Sequence, residues 1–119
     1  KAIPRSIFTN PQVASTGLTE RQIKDHKIQY KSVVTPISVV AKSATSGFYD
    51  GFIKVMASKE NNVILGATIV CPEASELIGE LSLAIQHNLT AQQVAHTVHS
   101  FGTWSEIVRV ACAKLSKSD

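Results

Sequence analysis

The stretch Gly51-Phe52-Ile53-Lys54-Val55-Met56-Ala57-Ser58-Lys59-Glu60-Asn61-Asn62-Val63-Ile64-Leu65-Gly66-Ala67-Thr68-Ile69-Val70-Cys71 holds two apolar arms around a polar centre. In the first arm Ile53, Val55 and Ala57 recur at every second position; in the second, Val63, Leu65, Ala67, Ile69 and Cys71 do the same. Side chains alternate across a strand, so each arm predicts a β-strand with one apolar face. Lys59-Glu60-Asn61-Asn62 is a four-residue polar turn between them, and the pair reads as a hairpin whose register is set by burying that face.

Beyond Pro72 the period changes. Ala74, Leu77, Ile78, Leu81, Ala84 and Ile85 fall at helical spacing, with Ser75, Glu76, Glu80 and Gln86 opposite, which predicts an amphipathic helix over Ala74 to His87. Thr90-Ala91-Gln92-Gln93 has the spacing of a capping box and predicts a short helix running through Val94 and Val98. Thr103-Trp104-Ser105-Glu106 has the same spacing and predicts a last helix with Ile107, Val110, Ala111 and Leu115 on one side.

Toward the N-terminus, Ser6 to Thr9 and Val13 to Gly17 read as short strands. Thr19 and Gln22 form another capping box, opening a helix that ends near Asp25 or His26. Ile28 to Pro36 is extended again, and the small polar stretch from Ser43 to Asp50 predicts a loop. Strands followed by helices, with no repeat or linker between, predict one domain over residues 1–119. The expected class is α+β, an antiparallel sheet with helices packed on one face.

Bulk composition narrows the function classes. The chain is 44% hydrophobic and 18% charged, an ordinary globular balance. Its net charge of +3 comes from 12 basic residues scattered along the sequence, without the basic stripe and interleaved aromatics of a nucleic-acid surface. The apolar runs are strand-length, far short of the roughly 20 residues of a membrane helix. Neither a signal peptide nor an initiator Met stands at Lys1, and the chain reads as a fragment or processed product. Asn88-Leu89-Thr90 matches a glycosylation pattern that means little without a secretory signal. Cys71 and Cys112 lie among apolar neighbours, so buried free thiols in a reducing compartment are expected.

No residue pattern supplies a catalytic motif outright. There is no Gly-rich phosphate loop, carboxylate pair or nucleophile elbow. His87, His96 and His99 are spaced by nine and three, which is not the ligand spacing of a helical metal site, although His96 and His99 could share a helical face. Surface or capping roles are expected for them, and no metal site. Glu106 at the third position of a helix reads by spacing alone as a capping carboxylate.

A resemblance adds to this reading. Ile3-Pro4-Arg5-Ser6-Ile7-Phe8-Thr9-Asn10-Pro11, then Gly17-Leu18-Thr19-Glu20, resembles the opening of the dimerisation domain of the FAD-dependent pyridine nucleotide–disulfide oxidoreductases. Gly51-Phe52-Ile53-Lys54, Leu65-Gly66, Pro72-Glu73-Ala74 with Glu76-Leu77-Ile78, Leu83-Ala84-Ile85, and Thr103 with Glu106 continue it in order across nearly the whole chain. Within the family the chain is most similar to mercuric reductases and dihydrolipoamide dehydrogenases.

The resemblance implies a homodimer and a parent chain whose other domains hold FAD and NAD(P)H. In such enzymes electrons pass between nicotinamide, flavin and a Cys–Cys disulfide. The C-terminal domain lends the partner's active site a His–Glu pair before the last helix, the His serving as acid–base toward a thiol. Glu106 matches the family Glu, the orienting carboxylate. Phe101 occupies the family His position and Gly102 the usual Pro, the two being placed against the flavin edge of the partner subunit. His99 corresponds to a second, non-catalytic histidine and is the possible substitute base. An aromatic at Phe101 resembles the Tyr of mercuric reductases and soluble transhydrogenases, without the hydroxyl. The chain also lacks the paired Cys of a mercuric reductase C-terminus. The implied parent is therefore mercuric reductase-like or dihydrolipoamide dehydrogenase-like, alternatively transhydrogenase-like, and cytoplasmic. The isolated chain is expected to bind neither cofactor and to be inactive. The rival reading is a non-catalytic assembly or binding module that reuses the fold.

Overall fold

The computed structural model describes residues 3–118. Its strands are β1 (Arg5–Ile7), β2 (Gln12–Gly17), β3 (Tyr30–Pro36), β4 (Phe52–Ser58) and β5 (Ile64–Cys71). Its helices are α1 (Glu20–Asp25), α2 (Ala41–Ser46), α3 (Ala74–Gln86), α4 (Ala91–Ala95) and α5 (Glu106–Lys117), with a 3-10 turn at Ile37–Val39. The strands form one antiparallel sheet in the order β1-β2-β5-β4-β3. The α+β architecture expected from the sequence is the one observed.

The hairpin forms as expected, but with a slip. Val55 faces Ala67 and Met56 faces Gly66, whereas Ala57 faces Ile64. A bulge thus leaves Leu65 without an opposite partner, and the buried face is Ile64, Ala67, Ile69 and Cys71 rather than Val63, Leu65, Ala67, Ile69 and Cys71. An extra residue on one arm shifts the phase of its alternation, and the residues before the bulge exchange faces.

A core row, Thr35-Ile53-Ile69-Ala14, runs across four strands, and each of its members is essentially buried. α3 lays Ala74, Ile78, Leu81, Ala84 and Ile85 into the core, beside β2 and β5. α5 adds Ile107, Val108, Ala111, Cys112 and Leu115 beside β3 and β4. Each of the Ile, Leu and Val side chains among them contributes about 1.5–3 kcal/mol on full burial. Val108 and Cys112 join the expected stripe of α5, and Val110 is only partly buried.

Two local expectations are corrected. The start of the stretch from Ser43 to Asp50, expected as loop, belongs instead to α2, which ends on Gly47 in the left-handed region (φ 75) with its amide donating to the Ser43 carbonyl. A helix of Ala, Ser and Thr has no apolar period to read, and only its glycine stop marks it. α4 stops at Ala95 rather than running through Val98: the Thr97 amide turns to the Val94 carbonyl, three residues back, while its hydroxyl donates to the Gln93 carbonyl at 2.9 Å. Val98 is left 95% exposed.

Gly17 and Gly66 face each other across β2 and β5. A Cβ on Gly66 would lie 2.0 Å from the Leu18 carbonyl oxygen, and one on Gly17 would lie 2.4 Å from that of Leu65. Only glycine permits this crossing of backbones. It carries the chain over to α1, whose Glu20 meets Lys54 of β4, a side chain facing away from the buried Ile53 and Val55. α1 therefore caps one end of the sheet face opposite to α3 and α5.

Candidate functional site

The residues singled out by sequence gather in the loop between α4 and α5, and three contacts hold that loop. His99 turns inward: its ring is only 5% exposed, with Nε2 2.6 Å from Glu80 Oε2 on α3 and Nδ1 2.8 Å from the Thr97 carbonyl oxygen. Trp104 is buried in the core. Glu106, also buried, accepts the Gly102 amide on Oε1 at 2.9 Å, and its Oε2 lies 3.8 Å from Arg109. Between these fixed points Phe101 projects into solvent, 85% exposed.

The expected capping box at Thr103 is not made. The Thr103 hydroxyl donates to the Ser100 carbonyl and pairs with the Ser105 hydroxyl, both at 2.7 Å. α5 begins at Glu106, two residues later than a Thr103 cap would place it, after amide bonds to carbonyls three residues back. Glu106 still reaches back to a free amide, that of Gly102, whose φ of 80 turns it toward the carboxylate. A carboxylate at the first turn of a helix also complements the helix dipole. The other two capping boxes, Thr19 with Gln22 and Thr90 with Gln93, form as read.

Chemically, the loop presents an apolar ring and little else. Phe101 can neither give nor take a proton. Both ring nitrogens of His99 are engaged inside the molecule, and one oxygen of Glu106 is engaged on an amide. His87 and His96 are exposed residues at the C-terminal ends of α3 and α4; α4 ends before His96, so His96 and His99 share no helical face. No cluster of three metal-ligating side chains exists among the described residues. Cys71 and Cys112 are free, with burial pushing their thiols up to about 11 and about 12, so neither is a ready nucleophile. No helix among the described residues is long and apolar enough to cross a membrane.

Sequence reasoning missed Glu80 as the partner of His99. It also missed the group formed by Glu20, Lys54 and Tyr30, where the Lys54 ammonium and the Tyr30 hydroxyl both donate to the Glu20 carboxylate. Those bonds, Lys54 first, hold the Glu20 carboxyl below its ordinary 4.5, and Glu20 in turn raises the Tyr30 hydroxyl. Neither group has a local spacing, since its members meet only after the chain has folded.

Residues 3–112 match the family described as the pyridine nucleotide-disulphide oxidoreductase dimerisation domain. The chain is 40% identical to the dihydrolipoyl dehydrogenase of Halobacterium salinarum over 89% of its own length and 22% of that relative's. It is 39% identical to the dihydrolipoyl dehydrogenase of Geobacillus stearothermophilus over 92% of its length and 23% of the relative's. Among solved structures, LpdA of Mycobacterium tuberculosis superposes with a TM-score of 0.89 at 26% identity, covering 95% of this chain and 25% of that one. The HOCl-induced flavoprotein disulfide reductase of Escherichia coli, in its Cu(II) complex, shares the fold at a TM-score of 0.91 and 19% identity, over 97% of this chain and 26% of that one. The chain thus spans about a quarter or less of the length of these relatives. With the fold, the chain-long match and the order of its motifs in agreement, this chain belongs to the dimerisation-domain family of the pyridine nucleotide-disulphide oxidoreductases.

Proposed function

We propose that residues 1–119 are the single dimerisation module of a cytoplasmic FAD-dependent, NAD(P)H-linked oxidoreductase of the dihydrolipoamide dehydrogenase type. The observation that carries this reading is a match to the family over residues 3–112, joined to relatives at 39–40% identity that are dihydrolipoyl dehydrogenases. In this reading a second copy seats on the helical side, and the loop from His99 to Glu106 faces the partner's reaction centre. Phe101 and Gly102 lie against the flavin edge there. Glu106 holds the turn through the Gly102 amide, and His99 positions the loop on α3 rather than serving as a base. That division is supported by the engaged nitrogens of His99 and the exposed ring of Phe101.

FAD and NAD(P)H belong, on this reading, to other domains of the parent chain, and the isolated module is colourless and inactive. The glycines nearest the start of α1 support it. Gly17 and Gly66 are filled by the crossing of Leu18 and Leu65, so their backbone is closed to a phosphate. The test is the flavin spectrum of the parent polypeptide together with dihydrolipoamide-dependent reduction of NAD. A stoichiometric flavin band and measurable turnover are expected from the parent, and no band from residues 1–119 alone. A parent without flavin overturns the reading.

A further inference from the structure

The two contacts of the His99 ring fix how many protons it needs. Nδ1 lies 2.8 Å from the Thr97 carbonyl oxygen, an atom that only accepts, so this nitrogen carries a hydrogen when the bond is made. Nε2 lies 2.6 Å from Oε2 of Glu80, and an ionised carboxylate also only accepts. A neutral imidazole has one N–H and one bare nitrogen. It satisfies one contact and sets a lone pair against an oxygen in the other. Both bonds exist together only when the pair holds one further proton. The ring is 5% exposed, which leaves little room for water to replace a lost partner.

We infer that the loop between α4 and α5 is latched by a proton held between His99 and Glu80, so that Glu80 is a positioning residue for Phe101 and the loop's hold depends on pH. With the proton in place the ring is tied to α3 and to the Thr97 carbonyl at once. When the proton passes to water, one of the two contacts becomes acceptor against acceptor, and the ring turns or leaves. The latch is therefore closed on the acid side and opens as pH rises. The flank after Phe101 has no such dependence, since Glu106 there accepts a backbone amide and Thr103 donates to the Ser100 carbonyl. Opening frees the flank before Phe101 and leaves the flank after it in place.

The charges around the pair favour the imidazolium beside the carboxylate. His99 is the only cationic group within ion-pair distance of Glu80 among the described residues. From α5 comes Cys112, whose thiol is raised to about 12 by burial first and by the Glu80 charge second, so it stays neutral and adds no charge of its own. Arg109 lies on the far flank, beside Glu106. What the opening does to a partner's reaction centre rests on the functional reading above; the latch itself does not.

The experiment is carbon relaxation by NMR at the Cα of Ser100 and Phe101 in this chain, from about pH 5.5 to about pH 9, a span that brackets the ordinary imidazole range. Order parameters near 0.85 at the acid end, falling below about 0.6 at the alkaline end, are expected. Glu80→Gln should keep the loop ordered throughout, because an amide donates its N–H to a bare Nε2 and turns its oxygen to an imidazolium. Glu80→Ala should leave the loop mobile at every pH. A loop equally ordered at both ends of the series in the unsubstituted chain overturns the latch, whether or not Glu80→Ala folds. So does a Glu80→Gln chain that keeps the full pH dependence, since the proton would then sit elsewhere. A parent without flavin removes the functional reading and leaves these outcomes as they are.

Discussion

Phe101 sits at the tip of a loop held on one flank by His99 on Glu80 and on the other by Glu106 on the Gly102 amide. If the parent handles dithiols, the thiol proton has no acceptor at this position. A general base is worth typically 10²–10⁴-fold in rate. Phe101→His in the parent polypeptide should therefore raise dihydrolipoamide turnover ten-fold or more, read as kcat/KM. High activity in the unsubstituted parent, unchanged by the substitution, would sink the missing-base argument. The loop was only half legible in the sequence. Glu106 could be read as a carboxylate that reaches back at a helix start, and it does so. Its amide is that of Gly102 because the Thr103 hydroxyl is spent on Ser100. The inward turn of His99 was not legible, since its partner lies 19 residues away on a helix whose docking angle no local spacing encodes.

At the scale of elements, α1 is six residues long and too short to stand alone. Its capping box, the burial of Ile23 and the contacts of Glu20 with Lys54 and Tyr30 tie it to the sheet. Because the folded state lowers the Glu20 pKa, the stabilisation is present above the ordinary 4.5 and is lost as pH falls through the lowered folded value. Glu20 and Lys54 are about a third exposed, which limits the pair to about 0.2–1 kcal/mol. Lys54→Met should lower the urea midpoint at about pH 6, and the gap to the unsubstituted chain should close toward about pH 3. A gap that stays constant with pH would mean that Lys54 acts through packing of its stem alone. Elements whose cues are local were legible: the hairpin, α3, and the Thr19 and Thr90 capping boxes. The bulge opposite Met56 and Ala57 was hidden because Val63 and Leu65 continue an unbroken apolar alternation through it. α2 was hidden because its residues are small and its packing rests on a buried Ser43 and a glycine stop.

For the whole molecule, the homodimer implied by the resemblance needs an apolar surface, and the apolar stripes of α3 and α5 do not supply it. The stripes of both helices are taken up by the core, down to Leu81, Ile107 and Leu115 with no exposure. Exposed on α3 and in the loop between α4 and α5 are Leu83, at 58%, with Val98 and Phe101. Leu83 stands three residues beyond Glu80 on α3, hence on the face that receives His99, which puts all three apolar side chains on one side of the molecule. Apolar side chains this exposed, grouped and rimmed by polar ones mark an interaction surface. A two-fold partner would bring the same three side chains from the other copy against them. A lasting dimer needs on the order of 2,000 Å² in total, so the flanking turns of α3 and α4 must take part as well. Light scattering of residues 1–119 at micromolar concentration should give twice the 12.8 kDa of one chain. Val98→Asp with Leu83→Asp should return the mass toward one chain, since each places a charge in an apolar contact without touching the core. Phe52→Asp, on the opposite face, should leave the doubled mass in place. A monomer before any substitution would remove the module's part in dimerisation as an isolated piece. A dimer that survives the Val98 and Leu83 changes but falls apart with Phe52→Asp would move the two-fold axis to the open sheet face.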